Sequence, residues 1–139
     1  MTVLRFYFKI CILYYFHLSL TELQRLGEKN NNECIDPVIR VDNGGMIQSH
    51  KLFSVAPYPT NFDCEWLIFA PDLFRIMIQF NFINIESDKF CQYDFIEFSN
   101  FSNQTTKFCG NDSRKRFISQ GNRLVIRFRS DHSITFEGF

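Results

Sequence analysis

RLVIRFRS at residues 123–130 alternates apolar and basic side chains with a period of two. That is the period of a half-buried strand, whose successive side chains point to opposite faces. Leu124, Ile126 and Phe128 are expected inside, with Arg123, Arg127 and Arg129 on the outer face beside Val125. LFRIMIQFNF at 73–82 alternates in the same way, with Phe74, Ile76, Ile78 and Phe80 on one side. CEWLIFA at 64–70 sets Trp66 and Ile68 on one face, and YDFIEF at 93–98 sets Tyr93, Phe95 and Glu97 opposite Asp94, Ile96 and Phe98. DNGG at 42–45 signals a turn before a short strand at Met46 and Ile47, and APYPTNFD at 56–63 cannot be helical. No stretch of ten residues carries a helical period, and the 18 phenylalanines favour strands. Short strands at this spacing, separated by polar turns, predict an all-β antiparallel β-sandwich.

The 139 residues suit one such domain. Its start is of another kind. Residues 1–20 contain no acid, Arg5 and Lys9 precede the apolar run at 10–16, and polar LTELQR follows. This pattern predicts a secretory signal peptide over 1–20, cut near residues 19 to 22, and a polar leader over 21–33. The run is short for a bilayer span, so a retained anchor is the weaker alternative. No later segment is apolar enough to cross a membrane, and the mature chain is expected to be secreted. Formal net charge is zero, or −2 without the two basic groups of residues 1–20. Nucleic acid is not an expected partner.

Cys11 would leave with the signal, and Cys34, Cys64, Cys91 and Cys109 remain. An even number in a secreted domain implies disulfides, and four cysteines allow three connectivities. The expected pairs are Cys34–Cys64 and Cys91–Cys109, each contributing roughly 3–4 kcal/mol by loop closure. Zinc is disfavoured because no two cysteines form a C-x2-C pair. Three sequons, at Asn100, Asn103 and Asn111, cluster in polar sequence and predict a glycosylated, solvent-facing region.

The chain has no HExxH, GxSxG, P-loop or GxGxxG motif, and no catalytic residue is assigned. Outside the signal only His50 and His132 remain, and both are expected at the surface. Glu86 and Asp94 could be read as a glycosidase pair, but a small sandwich offers no evident sugar cleft. The arginine row is expected to be a solvated strand face rather than a heparin or phosphate stripe. Asp88 and Asp112 are expected to be solvated loop residues, and Phe53 and Phe101 to be candidates for exposed contact residues.

Cys34, GGMI at 44–47, YPTNFDCEW at 58–66, QFNFINIE at 79–86, CQYDFIEF at 91–98, FCG at 108–110, GNRLVIRFRSD at 121–131 and GF at 138–139 occur in one order. In this ordered set the chain resembles the CUB domain family, extracellular β-sandwich modules, over residues 34–139. The family usually continues with one more strand, so the domain is expected to be truncated or to end in an abbreviated strand. The resemblance implies the same disulfide pairing. It further implies a Ca²⁺ site in which Glu86, Asp94 and Asp131 supply carboxylates, a backbone carbonyl near Ser133 and water fill the shell, and Tyr58 supports it by hydrogen bonding. Calcium chemistry agrees, since the ion prefers six to eight oxygens with several carboxylates. The implied function is a secreted, non-catalytic module whose calcium-organised acidic patch receives a lysine or arginine of an extracellular protein. The alternatives are a calcium-independent structural or carbohydrate-binding CUB module of spermadhesin type, and a substrate-recognition fragment of a larger secreted protease.

Overall fold

The computed structural model describes residues 2–7, 34, 38–41, 44–100 and 105–139. Residues 8–33 with Cys11 and His17, the first half of the DNGG turn, Phe101 and Asn103 lie outside the described residues. Among the described residues there is no helix, and eight strands form two sheets. β1 (Thr2–Tyr7), β4 (Phe74–Gln79) and β7 (Arg116–Ile118) make a three-stranded sheet in the order β1-β4-β7. β2 (Val38–Arg40), β3 (Asp63–Phe69), β8 (Arg123–Arg129), β5 (Phe95–Ser99) and β6 (Thr105–Phe108) make the second, in the order β2-β3-β8-β5-β6. Pairing is antiparallel except at two edges, where β1 lies parallel to β4 and β2 parallel to β3. β1 falls within the stretch read as a signal peptide and occupies the edge of β4 from Thr2↔Phe74 to Tyr7↔Gln79.

The inward residues named from the alternation are the core. Trp66, Ile68, Ile76, Ile78, Ile96, Phe98, Leu124, Ile126 and Phe128 are buried in one hydrophobic cluster. The four strands read from period two are present within a few residues of their expected ends. β2, β6 and β7 carry no such signal. They are three or four residues long, and β6 (TTKF) buries no side chain fully. Met46 and Ile47, expected as a strand, lie instead in an irregular segment. Gly44 at φ 114° turns the chain just before them, so only Ile47 reaches the core while Met46 stays exposed.

Both disulfides are formed as expected, Cys34–Cys64 with Cα atoms 5.3 Å apart and Cys91–Cys109 with 5.6 Å. His50 departs from its expected surface position. It is 3% exposed, with Nδ1 2.9 Å from the Ser49 hydroxyl and Nε2 2.9 Å from the Ala56 carbonyl. Burial lowers its pKa, because the charged imidazolium is poorly solvated there. His50 is therefore a structural pin for the turn at 51–56.

The arginine face is charge-paired. Arg127 forms a two-pronged ion pair with Asp63, one bond being 2.7 Å, and its strand neighbours are Glu65 and Glu97. That arrangement supports the solvated-face reading.

The last residues close the core. Asn84 and Gly138 exchange both backbone hydrogen bonds, and Ser49 N–H donates to the Phe139 carbonyl at 2.9 Å. Phe139 is 1% exposed, against Trp66, Phe80 and Phe128. Gly138 has φ 91°, and a Cβ there would fall 2.1 Å from Ser49 Oγ. Gly138→Ala should therefore lower stability by roughly 1–3 kcal/mol through backbone strain and overlap. Gly121→Ala, where a Cβ meets nothing within 4 Å, is the control. Denaturant unfolding compares the two, and equal midpoints would refute this account of the closure.

Candidate metal centre

Three carboxylates far apart in the chain meet at one end of the sandwich. β5 and β8 are antiparallel neighbours with Phe95 opposite Arg129, so the residue before β5 and the residues after β8 emerge side by side. Asp94 and Asp131 occupy those positions. Glu86 arrives from a third direction. It follows Ile85, which exchanges both backbone hydrogen bonds with Gly110. One oxygen from each of Glu86, Asp94 and Asp131 lies within 4.8 Å of the others. The second cluster of this kind, Asp88 with Cys91 and Cys109, is no metal site, because its two sulfurs are joined as a disulfide.

Asp94 is 0% exposed, and hydrogen bonds hold both its oxygens. The Tyr58 hydroxyl donates to Oδ2 at 2.6 Å, and Asp131 N–H donates to Oδ1 at 2.7 Å. The same hydroxyl accepts from Glu86 N–H at 3.1 Å. Tyr58 thus touches the side chain of one acid and the backbone of another. Its ring is fixed edge-on against Phe128, with centroids 5.1 Å apart.

Asp131 is held by its own loop. Its Oδ1 accepts from Ser133 N–H at 2.8 Å and from the Ser133 hydroxyl at 3.1 Å. Ser133 therefore sits beside the cluster. Two residues that sequence reading did not single out brace this corner. Ser130 Oγ accepts from Phe62 N–H and donates to the Pro59 carbonyl, and Asn61 N–H donates to the Asp131 carbonyl. A serine or asparagine in a loop has no period or spacing to reveal such a role. Asp88 and Asp112 are turn residues, accepting backbone N–H bonds from Phe90 and Gln92 and from Arg114 respectively.

Electrostatics make the cluster an unfinished arrangement. Among the described residues no lysine or arginine lies within ion-pair distance of it, and its nearest cation candidate is His132, 3.8 Å from Asp131. Burial, followed by the charges of Asp94, Asp131 and Asp88, raises the Glu86 pKa. Burial likewise raises that of Asp94, against the opposing Tyr58 and Asp131 hydrogen bonds. The Ser133 backbone bond leads the causes that lower Asp131. Glu86 Oε2 is buried without any hydrogen-bond partner. A buried carboxylate oxygen with no donor is costly unless a cation meets it. Three carboxylates with a free acceptor are a donor set suited to a hard divalent ion such as Ca²⁺, so the residues fit the implied metal.

A disulfide-tied β-sandwich with a tyrosine-braced acidic cluster at one end is the class defined by these features. Residues 27–139 match the CUB domain family, and the chain belongs to it. Tolloid-like protein 2 of Homo sapiens is 35% identical over 86 residues, which cover 59% of this chain and 8% of that protein. The chain thus spans only a small fraction of that relative's length. Among solved structures, the extracellular region of zebrafish Gpr126/Adgrg6 superposes with a TM-score of 0.67 at 29% identity, over 77% of this chain and 14% of that one. The MASP-1 CUB2 domain bound to Ca²⁺ superposes with a TM-score of 0.53 at 31% identity, over 59% of this chain and 76% of that one. CUB domains are non-catalytic protein-interaction modules. No helix among the described residues is long and apolar enough to cross a membrane.

Tyr58→Phe keeps the ring against Phe128 but removes the hydroxyl that serves Asp94 and Glu86. It should cost about 1–3 kcal/mol, the price of leaving buried polar groups unsatisfied. Unfolding in metal-free buffer measures this, and an unchanged midpoint would show that the hydroxyl does not brace the cluster.

The raised Glu86 and Asp94 pKa values also fix a sign. Without metal, their ionised forms oppose folding above the raised folded values, and that cost is relieved as pH falls through those values toward about 4. Asp63 and Asp131, both lowered, give up stability only as pH falls below that point. Relative to a Glu86→Gln/Asp94→Asn double variant, the metal-free melting temperature should therefore rise as pH falls from 7 toward about 4, while buried His50, with its lowered pKa, costs both proteins the same stability below about 6.5. Equal slopes for the two proteins would contradict the assignment.

Proposed function

We propose that this chain is a secreted, non-catalytic CUB module that binds an extracellular protein through a calcium-organised acidic patch. The observation that carries the reading is the buried, partnerless Glu86 Oε2 facing two further carboxylates. Glu86, Asp94 and Asp131 would hold the ion. A backbone carbonyl near Ser133 would add an oxygen, and Tyr58 would orient the acids. Calcium supplies charge neutralisation there and locks the loops after β8, before β5 and around residue 86 into one arrangement. The Ca²⁺-bound structure of the similar MASP-1 CUB2 domain supports the choice of ion.

Three carboxylates around one divalent cation leave a local charge of about −1 by addition. Such a patch attracts a lysine or arginine of a partner through charge-assisted hydrogen bonds. Residues 1–20 act as a signal peptide on this reading, and residues 21–33 as a polar leader to the domain at 34–139. The sequons at Asn100, Asn103 and Asn111 fit passage through the secretory route.

Extracellular sites of this kind bind calcium at roughly 10⁻⁴–10⁻³ M. At about 5 mM calcium that contributes about 1–2 kcal/mol by mass action, a shift of several degrees in melting temperature. The wild-type chain should melt several degrees higher with calcium than with chelator, and Asp94→Ala and Glu86→Gln should lose that difference. No shift in the wild type would remove the calcium site and favour the calcium-independent structural or carbohydrate-binding reading. A full shift in Asp94→Ala would show that the ion is held elsewhere.

A further inference from the structure

The sequon asparagines Asn100 and Asn111 lie at opposite ends of the β5–β6 hairpin. β5 runs from Phe95, next to Asp94, to Ser99, so Asn100 stands six residues along the strand from the acidic cluster, about 20 Å away. Its side chain is also occupied, since Asn100 Oδ1 accepts from Gln120 N–H at 3.2 Å. β6 runs antiparallel to β5 with Phe108 opposite Ile96, so the chain leaves β6 at the Asp94 end. Cys109 is tied there to Cys91, and Gly110 exchanges backbone bonds of 3.1 and 3.2 Å with Ile85, the residue before Glu86.

Gly110 packs so closely that a Cβ on it would stand 3.2 Å from Ser87 Oγ. Asn111 is the next residue and is exposed. From Asn111 to Glu86 there are two peptide steps and one strand pairing, so their Cα atoms are within about 13 Å. Asp112, between Asn111 and the sequon serine, is turned onto Arg114, its Oδ1 accepting from the guanidinium at 2.9 Å.

We propose that Asn111 carries an N-linked glycan that stands at the rim of the Glu86–Asp94–Asp131 patch and limits which partners reach it. The inference rests on the proposed calcium-organised patch and on secretion. A glycan is bulky and strongly hydrated, so from Asn111 it screens the patch from broad partners while leaving ion entry open. A glycan at Asn100 lies too far along the strand to do the same.

The test uses the full chain secreted from glycosylating cells. Peptide mass mapping reads occupancy at Asn111. Calcium-dependent retention on a polylysine surface reads access to the patch, and melting with calcium against chelator reads the ion. Ser113→Ala removes the Asn111 sequon while leaving Asn111 in place, and Ser102→Ala removes that of Asn100. The expected result is a glycan at Asn111, several-fold stronger retention for Ser113→Ala, no such gain for Ser102→Ala, and the same calcium shift in all three. An unmodified Asn111, or retention unchanged by Ser113→Ala, overturns the proposal while the calcium shift still stands. Retention that survives Glu86→Gln, or a wild type without a calcium shift, overturns the patch reading and this proposal with it.

Discussion

The hydrogen bond from the Tyr58 hydroxyl to Asp94 is the interaction on which the acidic end of the molecule depends. Asp94 is fully buried at the head of β5, where an ionised carboxylate is poorly solvated. Two donors offset part of that cost, and they come from different parts of the chain: Tyr58 in the proline-marked loop and Asp131 after β8. The carboxylate therefore cross-links three segments of the chain. Tyr58 can reach it only because its ring is locked against Phe128, which belongs to the central strand of the larger sheet. Packing in the core thus sets the position of the polar group at the rim.

The aromatic core explains how so small a sheet pair holds that rim still. Phe98 stacks on Phe117 with centroids 4.7 Å apart and meets Phe108 edge-on at 5.3 Å, while Phe139 meets Phe128 at 5.2 Å. These contacts join β5, β6, β7 and β8 with the final residue, so the two sheets share one cluster rather than lying as separate layers. Phe139 enters that cluster only because Gly138 accepts a left-handed conformation against Ser49. Aromatic pairs of this kind contribute about 0.5–1.5 kcal/mol each beyond their buried area. The disulfide at Cys91 adds a covalent tie beside Asp94, where Cys91 itself takes φ 48°. A loop held in that way gives up its freedom before any ligand arrives, which lowers the entropy lost on binding.

Legibility in the sequence followed the physics of each element. β3, β4, β5 and β8 could be read because each spans enough residues for a two-residue alternation to repeat. Trp66, Ile68, Ile126 and Phe128 are accordingly legible as core residues from that alternation alone. β2, β6 and β7 could not, since three or four residues give no period and pairing, not composition, makes them strands. His50 looked like a surface residue because nothing local shows that Ser49 and Ala56 will close around it. The acidic cluster was visible only through family resemblance. Glu86 and Asp94 are eight residues apart, but Asp131 is thirty-seven further on, and only the β5–β8 register brings it back. The orphaned oxygen of Glu86, which does most to mark the cluster as a cation site, is a property of packing that no sequence pattern encodes.

On the proposed reading, the distribution of charge favours the end of the sandwich over its face as the place for a basic partner. Arg123, Arg127 and Arg129 form the most conspicuous charged row in the sequence, yet the register sets Asp63 opposite Arg129 and Glu65 and Glu97 opposite Arg127. The Asp63–Arg127 pair holds the aspartate well below its ordinary pKa, so both groups are already satisfied by each other. Being exposed, such pairs contribute little to stability, and their field is cancelled within a few ångström. The Glu86–Asp94–Asp131 cluster has no lysine or arginine partner among the described residues, and burial, joined by the neighbouring carboxylates, raises the pKa values of Glu86 and Asp94. A divalent ion neutralises most of the cluster's charge but, on the proposed reading, leaves one negative charge in a partly desolvated setting. There a single lysine or arginine interacts more strongly than it would with any exposed carboxylate of the strand faces. On the proposed reading, a basic side chain would be drawn to this end because the fold leaves charge uncompensated there, and not because the sequence carries most of its charge there.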